Sequence, residues 1–262
     1  MADSPPARLV RSTLDRGVAT ITLDSQHNRN ALSRQLVSEL HEELDAAESA
    51  EARAVVLRHE GPAFCAGADL KERAAAVEGD TSDSRGMVEI LERLMDTPRP
   101  TIASVEGAVR AGGIGLMASC DLIVVDHSVT FALTEVRIGV AAAIISVPIL
   151  RRVAPGRIAA AMLTGETFDA EEARDIGLVT HVSDDVPDTV AALCDGVRAG
   201  APRAVAETKR ILGSVPALDR RQAFEEMGRL SAELFTGPDA REGMAAFREK
   251  RLPSWSPDAP PS

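Results

Sequence analysis

Tyrosine is absent from the 262 residues, and one tryptophan with six phenylalanines leaves aromatics at 3%. Platforms that stack nucleic-acid bases are built from such rings, so their scarcity argues against that class of partner. Positive charge is short as well, with 29 Lys and Arg against 40 Asp and Glu and a net charge of −11. Binding to nucleic acid or to an anionic membrane needs clustered cations that displace counterions, and no such excess exists. A compact anionic ligand remains open, because a few local cations or a helix N-terminus suffice for one. Cysteine is limited to Cys65, Cys120 and Cys194, an odd number, widely spaced and without a CxxC. That excludes a disulfide framework and fits a reducing compartment. The five histidines fall at no metal-ligand spacing, so no metal is expected. Long apolar runs are missing too: "GVAAAIISVPIL" is too short to span a bilayer and carries Pro148. The start, "MADSPPARLV", has neither an apolar signal core nor an Arg-rich amphipathic pattern, so a cytoplasmic location is expected.

What is present is an α/β pattern. "GVATITLD" (17–24) alternates and is rich in β-branched residues, which predicts a strand. Leu36, Leu40, Leu44 and Ala47 recur at helical spacing behind Ser33, a candidate N-cap. "ARAVVLRHEG" predicts a buried strand closed by Gly61, "GMVEILERLMD" (86–96) a helix, and "PTIASVEG" and "DLIVVD" two further strands. Strands separated by helices imply parallel pairing. Beyond about residue 145 helices dominate, with "LVTHV" the one candidate strand. The chain divides into an α/β core over 1–200 and a helical region over 201–262, with both tails expected to be mobile.

The stretch "RAGGIGLMASCD" (110–121) poses the functional question. Gly113, Gly115 and Ala118 satisfy a G-x-G-x-x-A pattern, but strand "DLIVVD" ends too soon after it. A dinucleotide unit needs a full helix, a second strand and an acid about 20 residues on. Two readings stay open: a tight packing turn, or the start of a short helix whose N–H groups face a developing negative charge. The second gains weight from another Ala/Gly-rich loop after a strand, "GPAFCAGADLKE" (61–72).

Together these loops resemble the crotonase (enoyl-CoA hydratase/isomerase) family, whose chains carry G-x-x-F-x-A-G-A-D-L and then G-x-x-x-G-G-G-x-x-L-x-x-x-C-D. Here the counterparts are "GPAFCAGADL" and "GAVRAGGIGLMASCD". "NRNALS", "FALTEVRIGV", "LTGETFDAEEARDIGLVTHV" and "EGMAAFREKRLPSW" follow the family in order, so the resemblance covers nearly the whole chain. It implies a spiral of ββα units with a C-terminal helical trimerisation region, and a homotrimer or dimer of trimers. It implies an acyl-CoA thioester as substrate, with coenzyme A part of that substrate and no separate cofactor. It places an oxyanion hole at the backbone N–H groups of Ala68 and Gly112, with Ala111 standing where the family has the first glycine of its triplet. Ala66 and Gly113 beside the hole are implied substrate contacts, as is Lys250 near the end; Arg29, ahead of Lys71 or Arg73 after the first loop, is the candidate for the CoA phosphates.

Family hydratases usually carry two catalytic glutamates. One position matches Glu135 in "LTEVRIG"; the other is Gly115, which cannot move protons. One glutamate beside an enolate can still hydrate a 2-enoyl-CoA, by activating water and returning the proton to Cα. It can also move a proton between carbons, as a 3,2-enoyl-CoA isomerase does. The expected activity is enoyl-CoA hydratase, with the isomerase and a catalytically weak acyl-CoA-binding paralogue as alternatives. Acyl selectivity is expected from Met87, Leu91, Val140 and Ile144. Asp69 and Asp121 are expected to satisfy backbone groups, Cys65 to pack, and Arg110 to form a salt bridge with Glu106.

Overall fold

The computed structural model describes residues 7–75 and 82–259; the outermost parts of both tails lie outside the described residues. In chain order the strands are β1 (Val10–Asp15), β2 (Val18–Leu23), β3 (Ala54–His59), β4 (Ala63–Cys65), β5 (Thr101–Val105), β6 (Ala108–Arg110), β7 (Leu122–Asp126), β8 (Thr130–Ala132), β9 (Thr167–Asp169) and β10 (His181–Ser183). The helices are α1 (Arg34–Ser49), α2 (Leu70–Ala75), α3 (Ser82–Asp96), α4 (Gly112–Ala118), α5 (Ala143–Arg152), α6 (Pro155–Thr164), α7 (Ala170–Asp175), α8 (Val186–Ala199), α9 (Pro202–Ser214), α10 (Arg220–Thr236) and α11 (Pro238–Glu249).

Two sheets organise the chain. One runs β1-β2-β3-β5-β7-β10 and the other β4-β6-β8-β9. Strands β3, β5 and β7 of the large sheet are each followed directly by a short strand of the small sheet, β4, β6 and β8, and then by helix. This is the expected spiral of ββα units. Pairing is parallel except for β1 with β2 and β8 with β9. The first exception was not legible as a strand. Arg16 (φ 46°) and Gly17 (φ 77°) make a two-residue hairpin turn that lays β1 along the sheet edge. Its outward residues are polar, so apolar alternation is weak.

Ser33 caps α1 as expected, its Oγ accepting the Leu36 N–H at 3.2 Å, and Leu36, Leu40, Leu44 and Ala47 face the core. α3 starts at Ser82, ahead of the expected Gly86, so Gly86 lies inside the helix. The tract holding Pro148 forms α5. No helix among the described residues is long and apolar enough to cross a membrane. The C-terminal helices are tied to the core by Lys209 of α9. Its Nζ lies 2.8 Å from Asp121 Oδ2 and donates to the Leu94 and Arg99 carbonyls at 3.0 Å. Asp121 meets its expected backbone duty as well, accepting the Thr101 N–H at 2.7 Å.

Candidate active site

The loop between β4 and α2 is shaped by its neighbours before any ligand is considered. Gly67 sits at φ +92°, a conformation that favours glycine. The Arg29 carbonyl accepts the Ala66 N–H at 3.0 Å, and the Gly67 carbonyl accepts the Leu32 N–H at 2.7 Å. Asp69 then caps α2, its Oδ1 accepting the Lys71 and Glu72 N–H groups. This bracing turns the Ala68 amide towards the start of α4. A Cβ on Gly112 would lie 3.6 Å from Ala68 N, so the two amides stand side by side. Neither N–H donates to an acceptor among the described residues. Gly112 opens α4, where the first N–H groups lack intrahelical acceptors.

Glu135 arrives from the other side, on the 3-10 turn Glu135–Ile138 after β8. It shares with Ala66, Ala68, Ala111, Gly112 and Ile145 the wall of a cavity of about 880 Å³. Its Oε2 is buried and has no hydrogen-bond partner among the described residues. Burial raises the carboxyl pKa above the ordinary value, offset in part by its own backbone N–H. A desolvated carboxylate with an unpartnered Oε2, in the same cavity wall as two free amides, is an arrangement for moving a proton next to an oxyanion.

The remaining expected residues divide by position. Gly113 packs α4 against β4: a Cβ there would fall 2.6 Å from the Cys65 carbonyl oxygen, and the residue is buried outside the cavity wall. Arg29 contributes its carbonyl, while its side chain is exposed and outside that wall. Lys250 is exposed at the end of α11, also outside it. Met87, Val140 and Ile144 line the cavity, whereas Leu91 is buried in the core instead. Cys65 packs; burial pushes its thiol up to about 12. Arg110 does not pair with Glu106: its guanidinium donates to the Thr130 carbonyl and hydroxyl, joining β6 to β8.

Ala111, standing where the family has glycine, was signalled by the resemblance; Ile145 beside Gly115 had no signal in the sequence. Ala111 adopts φ 48° and ψ −122°, a glycine-like conformation that sets the direction of the Gly112 amide. Ile145 of α5 closes the space beside Gly115, where a Cβ would come within 2.5 Å of the Ile145 Cβ and closer still to its Cγ2.

The family profile described as enoyl-CoA hydratase/isomerase matches residues 13–258, and the chain belongs to that family. The solved structure of an enoyl-CoA hydratase from Mycobacterium smegmatis superposes with a TM-score of 0.88 at 33% identity, covering 94% of this chain and 98% of that one. Among curated proteins, the mitochondrial enoyl-CoA hydratase domain-containing protein 3 of Danio rerio is 33% identical, over 92% of this chain and 85% of its own. Enoyl-CoA hydratase EchA19 of Mycobacterium tuberculosis is 30% identical, over 90% and 91% respectively.

Proposed function

We propose that the chain is an enoyl-CoA hydratase that works with one carboxylate. The observation that carries this reading is the buried, unpartnered Oε2 of Glu135 in the same cavity wall as Ala68 and Gly112. Glu135 takes a proton from water as the water oxygen bonds to Cβ of a 2-enoyl thioester. The double-bond pair moves to the thioester oxygen, which the two amides hold as an enolate. The enolate then collapses as Glu135 returns the proton to Cα, which restores the carboxylate. Hydratase names among the relatives support the same direction.

A second reading, 3,2-enoyl-CoA isomerisation, draws on Ile145. With Gly115 walled off by an isoleucine, position 115 offers no second acid beside the oxyanion hole, and carbon-to-carbon proton transfer needs only one. The reading also includes a cytoplasmic homotrimer or dimer of trimers. Phe224, Phe235 and Phe247, exposed at 75%, 70% and 86% on α10 and α11, support self-association.

The test follows the absorbance of the conjugated thioester with crotonyl-CoA, alongside Glu135→Gln. Decay that disappears in the variant supports hydration. No decay, with a rise of the same signal from a 3-enoyl-CoA, favours the isomerase. Acyl-CoA binding without either change leaves the weak paralogue.

A further inference from the structure

The peptide units that lead to the Ala68 amide are pinned one after another. The Ala66 N–H donates to the Arg29 carbonyl at 3.0 Å, and the Gly67 carbonyl accepts the Leu32 N–H at 2.7 Å. Between them, the Gly67 N–H donates to Cys65 Sγ at 3.4 Å. A trans peptide is planar, so the bond that holds the Gly67 carbonyl also holds the Ala68 N–H, which points the opposite way. The Cys65 bond holds the plane before it. The two planes together fix the torsions of Gly67, with φ at +92°. Of these pins, the one from Cys65 alone comes from a side chain.

Cys65 also touches the element that carries the other donor. A Cβ on Gly113 would lie 2.6 Å from the Cys65 carbonyl oxygen and 2.7 Å from Cys65 Cβ, so the first turn of α4 rests on this residue. Gly112, with the second free amide, is the residue before it. Gly67 meets the same turn, since a Cβ on it would lie 3.2 Å from Gly112 N. One fully buried residue thus links the loop of one amide to the helix of the other. Burial pushes its thiol up to about 12, so it stays protonated at neutral pH. A neutral sulfur is a weak acceptor and no nucleophile.

Resting on the acyl-CoA reading above, we propose that Cys65 is a positioning residue for the oxyanion hole. Its Sγ aims the Ala68 amide through Gly67, and its backbone seats the start of α4 behind the Gly112 amide. It lies outside the cavity wall and touches no substrate. Without the acceptor, the Gly67 peptide is free to rotate and the Ala68 N–H moves with it. Removing an oxyanion donor outright costs about 10²–10³ in kcat, and a misaimed donor forfeits part of that. Cys65→Ala should therefore lower kcat about tenfold and change KM less than about threefold. Cys65→Ser offers a hydroxyl oxygen to the same N–H and should stay within about threefold of the parent. A role in packing alone predicts the reverse order, because serine also loses the sulfur and buries a hydroxyl in its place.

The test is infrared difference spectroscopy of bound butyryl-CoA, isotope-labelled at the thioester carbon. Its carbonyl stretch falls in frequency as the two amides polarise it, and the saturated chain does not react, so the signal is independent of turnover. Steady-state kinetics are measured beside it, by whichever of hydration and isomerisation the protein performs. A downshift in the parent that shrinks in Cys65→Ala and returns in Cys65→Ser, with kcat in the same order, supports the proposal. A downshift equal in the parent and Cys65→Ala, or no better kept by serine than by alanine, overturns it and leaves the acyl-CoA reading standing. If Cys65→Ala does not fold, Cys65→Ser decides alone: the parental downshift supports the proposal, and its loss overturns it. Butyryl-CoA that fails to bind the parent, or binds without a downshift, removes the underlying reading and the proposal together.

Discussion

Ile145 occupies the space that any side chain on residue 115 would need. The Cβ of Ile145 itself lies 2.5 Å from the position of a Cβ on Gly115. Gly115 is therefore matched by its neighbour across the α4–α5 contact. Overpacking a buried contact of this kind costs about 1–3 kcal/mol, so Gly115→Ala should lower the urea midpoint accordingly. Ile145→Ala leaves the clashing Cβ in place and should restore little. Ile145→Gly should restore more, and a double-mutant cycle would show the coupling.

Glu135→Gln should reduce turnover by about 10²–10⁴-fold, the usual contribution of a positioned acid–base group. Because the carboxyl pKa is raised by burial, kcat/KM should climb with pH through an inflection above the ordinary carboxylate value of 4.5.

The same shift has an opposite effect on stability. The folded state holds this proton more tightly than the unfolded chain, so stability is lost as pH rises from 4.5 through the folded-state value. Glu135→Gln should thus be at least as stable as the parent at neutral pH. That margin should shrink as pH falls from the folded-state value towards 4.5 in paired thermal melts.

Ala111 holds φ 48° and ψ −122° with a Cβ attached, a strain of about 1–3 kcal/mol. Ala111→Gly removes the strain and adds about 0.4–1 kcal/mol of unfolded-chain entropy, for a net gain of about 1 kcal/mol in denaturation. Ala111→Val, whose branched side chain tolerates this conformation worse, should be clearly destabilised.

Lys209→Met removes a largely buried ammonium from Asp121 Oδ2 and from two carbonyls. Loss of one partner of such a pair costs about 3–5 kcal/mol when burial is complete. Asp121 keeps 29% of its side-chain exposure, so about 2–3 kcal/mol is expected in urea unfolding. The early effect should be loosening of α9, visible as faster hydrogen exchange there.

Much of the scaffold was legible because its signals are local. The leucine spacing of α1, the Ser33 cap and the β-branched runs of β2, β3, β5 and β7 are set by neighbours along the chain. β4, β6, β8 and β9 are three residues each, too short for any alternation to stand out, and they exist because the spiral pairs them. Gly86 read as a helix start, since nothing adjacent reveals that α1 approaches it.

By itself the sequence determined the two glycine-rich loops, the single glutamate after the fourth long strand, and an acidic chain with few aromatics and no cationic patch. These follow from residue identity and order. Only the tertiary structure decided that the Ala68 and Gly112 amides stand together and that Glu135 Oε2 is left without a partner among the described residues. It alone decided that Ile145 fills the flank of Gly115 and that residues of α1 and α3 share the cavity wall with Glu135. Those are distances between segments far apart in the chain, fixed by how the spiral packs.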